Sequence, residues 1–590
     1  MAEPPVGTNG ESRASHLSVL RRLGQLAKAF FIDGNRRDTR LFVGALLGLC
    51  IVVGVVQVLV SYAGRNFFTS FTQRDVKGFY RNLAIYIGTF ALAIPVGVFY
   101  RYAAERLSLI WRVWMTHLLV KRFFFNRAYY RLRSSERVDN PDQRISEDVR
   151  SFTTGVLGYA LTMVNSAVSF FSFLVVLFTI SWKLPVALLI YATVGTALSM
   201  LIGKRLVGLD FQQYKKEADF RYALIRVRDN AESIAFFRGE KREHRDLVTR
   251  FSEVVKNTML IIGWNLKLGF FTNSYNYLAL IVPILVVGPL YMNRSVEFGV
   301  VTQAEGAFAT VLAALSVIIA QFEGLAAFAA AIKRLGDLWD ELDEYDVEDA
   351  KAEQEAQIEV KECARCLIIN DLTVQTPGGR KTLIHDMNFS LPPGKSVLIM
   401  GESGAGKSSL LRTIAGLWQS GSGGIDRPNL NHLIFLPQRP YMVQGDLREQ
   451  LMYPQNEEGA DDELIKKALV EVNLLEILDR VDGDFSRKVD WTNILSIGEQ
   501  QRVSFARVFL RQPVMAFLDE ATSALDEPNE RLLYQNLRNL GISYVSVGHR
   551  STLKEFHDFL IVLSKDAGVA ISELTPPDKN APPVSCPPAK

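Results

Sequence analysis

Residues 396–417 of the chain read SVLIMGESGAGKSSLLRTIAGL. The apolar run SVLIM stops at Gly401, and the amphipathic run SSLLRTIAGL begins after Lys407. Between them, GESGAGKS matches G-x-x-x-x-G-K-[ST], the loop that joins a buried strand to a helix and wraps backbone N–H groups around phosphate oxygens. This stretch therefore predicts an α/β domain with a P-loop that binds a nucleotide.

The residues of this loop have predicted contacts with ATP and its magnesium ion. Lys407 is expected to reach the β- and γ-phosphates, and the Ser408 hydroxyl is expected to ligate Mg²⁺. The other loop positions predicted to contact ATP are Gly401, Glu402, Ser403, Gly404, Ala405, Gly406 and Ser409.

A second apolar run, VMAFLDE at residues 514–520, ends in two acids. Asp519 is predicted to hold Mg²⁺, directly or through water, and Glu520 to act as the general base on the attacking water. Two carboxylates at the end of a strand could be merely exposed. Their position downstream of a P-loop favours the catalytic interpretation.

The chain before about residue 335 has a different composition. A length of 590 residues predicts at least two domains, since single domains rarely exceed about 250–300 residues. Apolar runs close to the roughly 20 residues that cross a bilayer occur at residues 41–63, 83–100, 155–182, 184–203, 259–292 and 303–332. Six apolar runs of this length cannot all be buried helices of a soluble domain. We therefore predict a membrane domain with six spans.

The charges of the connecting segments predict the orientation of these spans. Residues 101–151 and 204–257 are rich in arginine and lysine, whereas the connections after the third and fifth spans carry only Lys183 and Arg294. Basic connections stay in the cytosol. Both termini and the nucleotide-binding domain are therefore predicted to be cytosolic. The net charge of +3 is too small to indicate a nucleic-acid partner.

The predicted domain boundaries follow from these changes in composition. They are an N-terminal cytosolic or interfacial segment at 1–40, the membrane domain at 41–337, an acidic linker at 338–359, the ATP-binding domain at 360–574 and a proline-rich tail at 575–590 that we expect to be disordered.

Three charged residues fall within the predicted spans. Charges inside spans are costly and usually face a cavity, so Lys267, Glu305 and Glu323 are predicted to line a polar path for the cargo. The alternative is that Lys267 and Glu305 lie at the membrane boundary and extend to the headgroups.

Four further motifs carry a resemblance to a known family. Gln438 lies in FLPQRPY, residues 495–500 read LSIGEQ, residues 523–526 read SALD, and His549 lies in SVGHR. In this order the chain resembles an ABC transporter over nearly its whole length. The resemblance implies that Gln438 contacts the γ-phosphate and Mg²⁺, that His549 is a catalytic switch residue, and that Ser496, Gly498, Glu499 and Asp526 take part in ATP binding.

The resemblance also implies the assembly and the fold. In this family the signature binds the ATP held by a second cassette, so one cassette per chain implies a homodimer. The fold expected is a six-span, type IV or exporter-like membrane domain fused to an α/β P-loop nucleotide-binding domain. Ile497 departs from the family, which usually has glycine there, and Gln375 and Thr376 stand about where it has an adenine-stacking aromatic residue.

Within the family the chain resembles the D subfamily and its bacterial relatives. The stretches that carry this are residues 436–454 (LPQRPYMVQGDLREQLMYP) and Trp491 just before the signature. The subfamily includes peroxisomal acyl-CoA transporters and a lysosomal cobalamin transporter, with bacterial relatives similar to BacA-type peptide importers. Import of peptides, cobalamin-like compounds or acyl-CoA-like lipids is therefore expected, with compact loops favouring a bacterial inner membrane.

Two other functions remain open at this stage. The chain could export a hydrophobic compound, as the wider fold does. It could also be an ATP-gated channel or scaffold that does not pump, although Glu520 and His549 would be needed only for turnover.

Overall fold

The computed structural model describes residues 21–31, 36–135, 137–320, 322–352, 358–376, 381–455, 461–566 and 568–574. The chain divides into two compact units, Met1–Asp349 and Ala350–Lys590, called here the membrane unit and the cassette unit. The predicted tail at 575–590 and the side chain of Glu323 lie outside the described residues.

Long helices build the membrane unit. They are α1 (21–31), α2 (Arg36–Thr72), α3 (Val76–Phe124), α4 (Ala128–Ser135), α5 (Val149–Ile180), α6 (Lys183–Asp229), α7 (Ala231–Phe237), α8 (Glu240–Met292), α9 (Phe298–Ala320) and α10 (Phe322–Ala352). A short turn at Pro141–Gln143 and a π-helical turn at Arg144–Asp148 lead into α5.

Six helical segments of the described residues are long and apolar enough to cross a membrane. They are Thr39–Thr72, Val76–Arg133, Pro141–Ile180, Lys183–Asp229, Glu240–Met292 and Phe298–Val317. This confirms the predicted six-span domain. The two basic segments are helical continuations of the spans, because α3 runs on to Phe124 and α6 and α8 extend to either side of α7.

Two hydrophobic cores hold the membrane unit together. One lies toward the short connections at 73–75, 181–182 and 293–297, which we call the loop end, and includes Leu177, Leu188 and Phe308. The other lies at the opposite end, where Phe30 of α1 stacks on Trp111 of α3 with ring centroids 5.0 Å apart. Helix α1 is also held to α10 by Arg22, which pairs with Asp337 and Asp340 at 2.7 and 3.0 Å.

The cassette unit combines two sheets with helices. Its strands are β1 (Ile358–Glu362), β2 (Leu367–Gln375), β3 (Thr382–Leu391), β4 (Ser396–Gly401), β5 (Gly421–Arg427), β6 (Leu433–Leu436), β7 (Met515–Asp519), β8 (Ser543–Val547), β9 (Phe559–Leu563) and β10 (Val569–Glu573). Its α-helices are α11 (Lys407–Ile414), α12 (Leu447–Met452), α13 (Asp462–Glu471), α14 (Trp491–Ile494), α15 (Ile497–Arg511) and α16 (Glu527–Asn539).

The larger sheet has the order β10-β9-β4-β8-β7-β6. Strands β9, β4, β8, β7 and β6 are parallel, and β10 pairs with β9 in the antiparallel direction. Strands β4, β7 and β8 are buried along most of their length because both faces of a central parallel sheet are covered. The smaller sheet has the order β1-β5-β2-β3. This α/β architecture is the one predicted from the P-loop.

Candidate functional site

The carboxyl ends of four parallel strands bring the predicted catalytic residues of the cassette unit together. The P-loop follows β4, Asp519 and Glu520 end β7, His549 follows β8, and Gln438 follows β6. In an open α/β sheet these ends form the crevice where ligands bind. Residues that are far apart in the sequence therefore meet at one edge of the sheet.

Glycine residues shape the P-loop. Gly401, Gly404 and Gly406 have φ values of 148°, 82° and 95°, which L side chains rarely adopt. A Cβ atom at Gly401 would also clash with the backbone oxygen of Leu563 in β9. Gly406 is the residue before the first turn of α11, so the loop delivers the chain directly to a helix N-terminus, where free N–H groups attract phosphate.

The side chain of Lys407 lies inside this loop. Its Nζ donates hydrogen bonds of 2.8 Å to the carbonyl oxygens of Gly401 and Glu402, and the residue is only 7% exposed. Burial lowers the pKa of Lys407, while the charges of Glu520 and Asp519 oppose that change. Both hydrogen-bond acceptors are neutral, so the ammonium group is suited to pair with a phosphate.

Ser408 and Asp519 form a pair of oxygen donors. The Ser408 hydroxyl donates to Oδ1 of Asp519 at 3.1 Å. Burial raises the pKa of Asp519, the charge of Glu520 raises it further, and the Ser408 hydrogen bond partly offsets both. Hydroxyl and carboxylate oxygens are ligands that Mg²⁺ prefers, and a cation would compensate the buried charge. The two side chains fit a magnesium site completed by water and phosphate oxygens.

Glu520 is held between two other predicted catalytic residues. Its Oε2 accepts from Nε2 of Gln438 at 2.9 Å, and its Oε1 lies 3.0 Å from Nε2 of His549. Its φ of 49° lies in the left-handed region, which costs a non-glycine residue about 1–2 kcal/mol. The amide and the imidazole position a carboxylate that can accept a proton from water. Gln438 contacts this carboxylate, so its role as a Mg²⁺ ligand stays a prediction.

The signature residues form a separate cluster at the N-terminus of α15. Ser496 and Glu499 make a capping box, with the Ser496 N–H donating to the Glu499 carboxylate at 2.8 Å. Burial disfavours the charged form of Glu499, but hydrogen bonds from Arg480 and Ser496 outweigh it and lower its pKa. Within the described residues, no hydrogen bond of Ser496 or Glu499 reaches the P-loop. No sequence motif pointed to Arg480.

Gly498 and the SALD segment lie against each other. A Cβ atom at Gly498 would sit 3.1 Å from the carbonyl oxygen of Ala524, so the residue there has to be small. Asp526, predicted to contact ATP, precedes α16 and accepts a hydrogen bond of 2.7 Å from Asn529. Ile497, which replaces the usual glycine, is 63% exposed and contributes no packing that would require it.

Two residues that the sequence did not single out anchor this segment. Arg550 donates hydrogen bonds of 3.0 Å to the carbonyl oxygens of Ser523 and Leu525. Gln501 donates to the Ser523 hydroxyl at 3.2 Å and accepts from the Ala524 N–H at 3.1 Å. Gln501 directly follows the LSIGEQ motif and Arg550 is the last residue of SVGHR, and these positions are the signal that could have found them.

Two of the predicted cargo-path residues, Lys267 and Glu305, do not line the cavity that lies in the membrane unit. That cavity, of about 570 Å³, lies between α2, α3, α5 and α9, and its lining includes neither Lys267 nor Glu305. Lys267 is exposed, with Nζ 4.5 Å from the ring centroid of Trp264, and Glu305 is half-buried on α9. Their role in cargo movement stays a prediction.

Comparison with known proteins covers both units. The family described as ABC transporter transmembrane region 2 matches residues 26–292, and the family described as ABC transporter matches residues 384–523. The second match spans the P-loop, the signature, Asp519 and Glu520.

Relatives match along almost the whole chain. An uncharacterised ABC transporter ATP-binding protein of Synechocystis is 42% identical, covering 90% of this chain and 82% of the relative. The chloroplastic ABC transporter D family member 2 of Arabidopsis thaliana is 37% identical, and the match covers 94% of this chain and 87% of that protein. The lysosomal cobalamin transporter of Homo sapiens is 30% identical, covering 95% and 97%. The chain therefore belongs to the D subfamily of ABC transporters, membrane proteins that couple ATP hydrolysis to transport.

Proposed function

We propose that the chain works as a homodimer in which each ATP site is built from both subunits. Lys407 of one subunit and Ser496 of its partner would hold the same nucleotide. The observation that carries this proposal is the exposed N-terminus of α15, where two backbone N–H groups remain free beside the capping box. Ser496 and Ile497 are exposed, and the N–H groups of Ile497 and Gly498 belong to the first turn of α15, which leaves them without intrahelical partners.

Hydrolysis at such a site would use the cluster at the carboxyl ends of the strands. Lys407 would bind the β- and γ-phosphates, and Ser408 and Asp519 would hold Mg²⁺, which supplies charge neutralisation when bound. Glu520 would accept the proton of the attacking water, with Gln438 and His549 fixing its carboxylate. Ser496, Gly498 and the α15 dipole would bind the γ-phosphate from the opposite side, and Glu499 would maintain the helix terminus.

Mixed dimers test the shared site directly. Two differently tagged chains, one with Lys407→Ala and one with Ser496→Ala, are co-expressed and purified through both tags. If the sites are shared, one site carries both changes and the other is intact, so the mixed dimer should hydrolyse ATP measurably. If each site lay within one chain, both sites would be damaged.

The matched control reverses this pattern. A Lys407→Ala, Ser496→Ala double variant paired with an unchanged chain has the same two substitutions per dimer. If the ATP sites are shared, both sites of this dimer carry one defect. If each site lies within one chain, one of the two sites is intact. Higher activity in the double-variant dimer than in the mixed dimer would refute the shared site.

For the cargo we propose import toward the cassette side of a bacterial inner membrane, with the cassette cytosolic. The basic segments 101–151 and 204–257 support this orientation. The peptide, cobalamin-like and acyl-CoA-like classes are the candidates, and the relative named as a cobalamin transporter supports the second. We also propose the division of the chain into a membrane domain at 41–337, a linker at 338–359 and a cassette at 360–574.

Proteoliposomes with outward-facing cassettes test direction and cargo together. They are loaded with labelled cobalamin, a short peptide or an acyl-CoA, and ATP with Mg²⁺ is added outside. Import predicts ATP-dependent release of one cargo, absent with Glu520→Gln. Accumulation of an externally added hydrophobic compound would indicate export instead. Turnover without movement of any compound would refute the proposed import.

A further inference from the structure

A cavity of about 570 Å³ opens in the membrane unit toward its loop end. Its size falls within the range of about 300–1,000 Å³ typical of pockets that hold small molecules. Polar side chains of three helices line it: Gln57, Ser61 and Arg65 of α2, Ser169 of α5, and Gln303 of α9. Polar groups within membrane spans are expensive and commonly mark a binding site or pathway.

Arg65 gives this cavity a positive charge without a counter-ion. It lies seven residues before the end of α2 at Thr72, about 10 Å inside the bundle at 1.5 Å per residue. Its Nε is buried and has no hydrogen-bond partner, and the lining contains no aspartate or glutamate. Among the described residues, no carboxylate forms an ion pair with Arg65. A guanidinium that is half-buried and unpaired leaves several donors for an incoming anion.

Gln303 adds an unsatisfied acceptor to the same wall. The residue is 5% exposed, its amide nitrogen donates to Ser61 at 3.4 Å, and its oxygen is buried without a donor. A buried polar atom without a partner is destabilising, and a hydrogen bond from a ligand N–H or O–H would satisfy it. The cavity thus combines a cation with a nearby hydrogen-bond acceptor.

Other residues of the lining are aromatic. Phe68, Phe90 and Phe173 line the cavity with Tyr86, and the Tyr86 and Phe90 ring centroids are 4.5 Å apart. These rings would pack against an apolar portion of a ligand.

We propose that this cavity is a binding site for an amphipathic anion, a carboxylate or phosphate with a neighbouring N–H or O–H and an apolar body. Arg65 binds the anionic group of the ligand, and the amide oxygen of Gln303 accepts a hydrogen bond from the ligand N–H or O–H. The aromatic side chains pack against its apolar body. The proposal deepens the transport function and rests on it, because it identifies where the anionic group of a cargo binds. A cargo larger than the cavity would place only that group there.

Photoaffinity labelling tests the site without requiring turnover. The full chain in phosphatidylcholine nanodiscs is titrated with a diazirine-bearing N-decanoylglycine, without nucleotide, and the labelled peptides are identified by mass spectrometry. Labelling of the peptides with Tyr86, Phe90 or Phe173 is expected. The corresponding N-decanoylglycinamide, which lacks the charge, should need at least about a tenfold higher concentration for half-maximal labelling.

Matched variants assign the effect to the charge of Arg65. Arg65→Gln should raise the half-labelling concentration about tenfold, and Arg65→Lys should restore much of the binding if it is the charge that matters. Arg81→Gln is the control, because Arg81 is an exposed arginine at a similar depth in α3 and does not line the cavity. Equal labelling by the acid and the amide, or an unchanged Arg65→Gln variant, would overturn the proposal. If gel filtration shows that the Arg65→Gln variant is poorly folded, the proposal is tested by comparing labelling with the acid and with the amide on the unchanged chain.

The anion could come from a cargo or from a lipid headgroup, and competition separates the two sources. Replacing part of the phosphatidylcholine by phosphatidylglycerol abolishes labelling if the site takes lipid phosphate, whereas retained labelling indicates a cargo anion. The mixed-dimer ATPase test is independent of this measurement. If the cavity is not labelled but the mixed dimers show shared ATP sites, the anion site alone is rejected. If the cavity is labelled but the ATP sites are not shared, the homodimer proposal alone is rejected.

Discussion

Replacing Glu520 by glutamine changes one oxygen for one NH₂ group at the centre of the hydrolytic cluster. The carboxylate accepts a hydrogen bond from Gln438 at 2.9 Å and lies 3.0 Å from Nε2 of His549, and glutamine keeps only one of the two oxygens that make these contacts. It also cannot take the proton of the attacking water. Loss of a general base costs about 10²–10⁴-fold in rate, or about 3–5 kcal/mol of transition-state stabilisation.

The expected result is therefore a fall of at least about 100-fold in kcat with nucleotide binding retained. Phosphate release from the purified full chain measures the rate, and fluorescence of a labelled ATP analogue measures binding. Lys407 and Ser408, which are proposed to contact phosphate and magnesium, are untouched by the change, so the Kd should stay within a few-fold.

Glu527→Gln is the matched control for this substitution. Glu527 is an exposed residue in the first turn of α16 that lies 3.6 Å from Arg531. Exposed ion pairs contribute about 0–1 kcal/mol, so the rate should change by less than about twofold. Glu520→Gln activity above about a tenth of the unchanged rate, or an equal loss in the control, would refute the assignment of Glu520 as the base.

Three further predictions use close contacts and burial. Gly195→Ala should lower the thermal midpoint of the membrane unit, because its Cβ would clash with the ring of Tyr275; calorimetry of the full chain measures this, and an unchanged midpoint would contradict the packing. Gly498→Ala should reduce ATPase activity about tenfold or more, since its Cβ would press on the carbonyl of Ala524 and narrow the phosphate approach; wild-type turnover would exclude that close approach. Burial lowers the pKa of His557 from 6.5 to about 4, so the unfolded chain binds a proton that the folded cassette does not. Its free energy of unfolding should fall by about 2 kcal/mol between pH 7 and pH 5, and His557→Gln should show a smaller loss than the unchanged chain in thermal scans at the two pH values.

Much of the ATP site could be predicted from the sequence because its elements are local. The P-loop needs glycines at set positions between a strand and a helix, and these positions can be read directly from a short stretch of consecutive residues. Long apolar runs likewise predict spans, since the bilayer demands continuous segments. The contacts of Glu520 with Gln438 and His549 depend on the order of β6, β7 and β8 in the larger sheet, which the structure provides.

The contacts that support the signature and the SALD segment were harder to predict from the sequence. Arg480 reaches Glu499 from a 3₁₀ turn that carries no motif, and only the packing of that turn on α15 brings them together. Arg550 anchors the SALD segment through backbone carbonyls, which are chemically identical along the chain, so only its place at the end of SVGHR could have drawn attention to it.

The sequence by itself determined the membrane domain with six spans and the α/β nucleotide-binding domain with its P-loop, because hydrophobic periodicity and motif spacing encode local geometry. It drew attention to Lys267 and Glu305 as intramembrane charges, and the lining of the 570 Å³ cavity includes Arg65 and Gln303. Only the tertiary structure decided that point. A span's composition shows that a charge is present, but the side chains that share a cavity with it come from helices far away in the sequence.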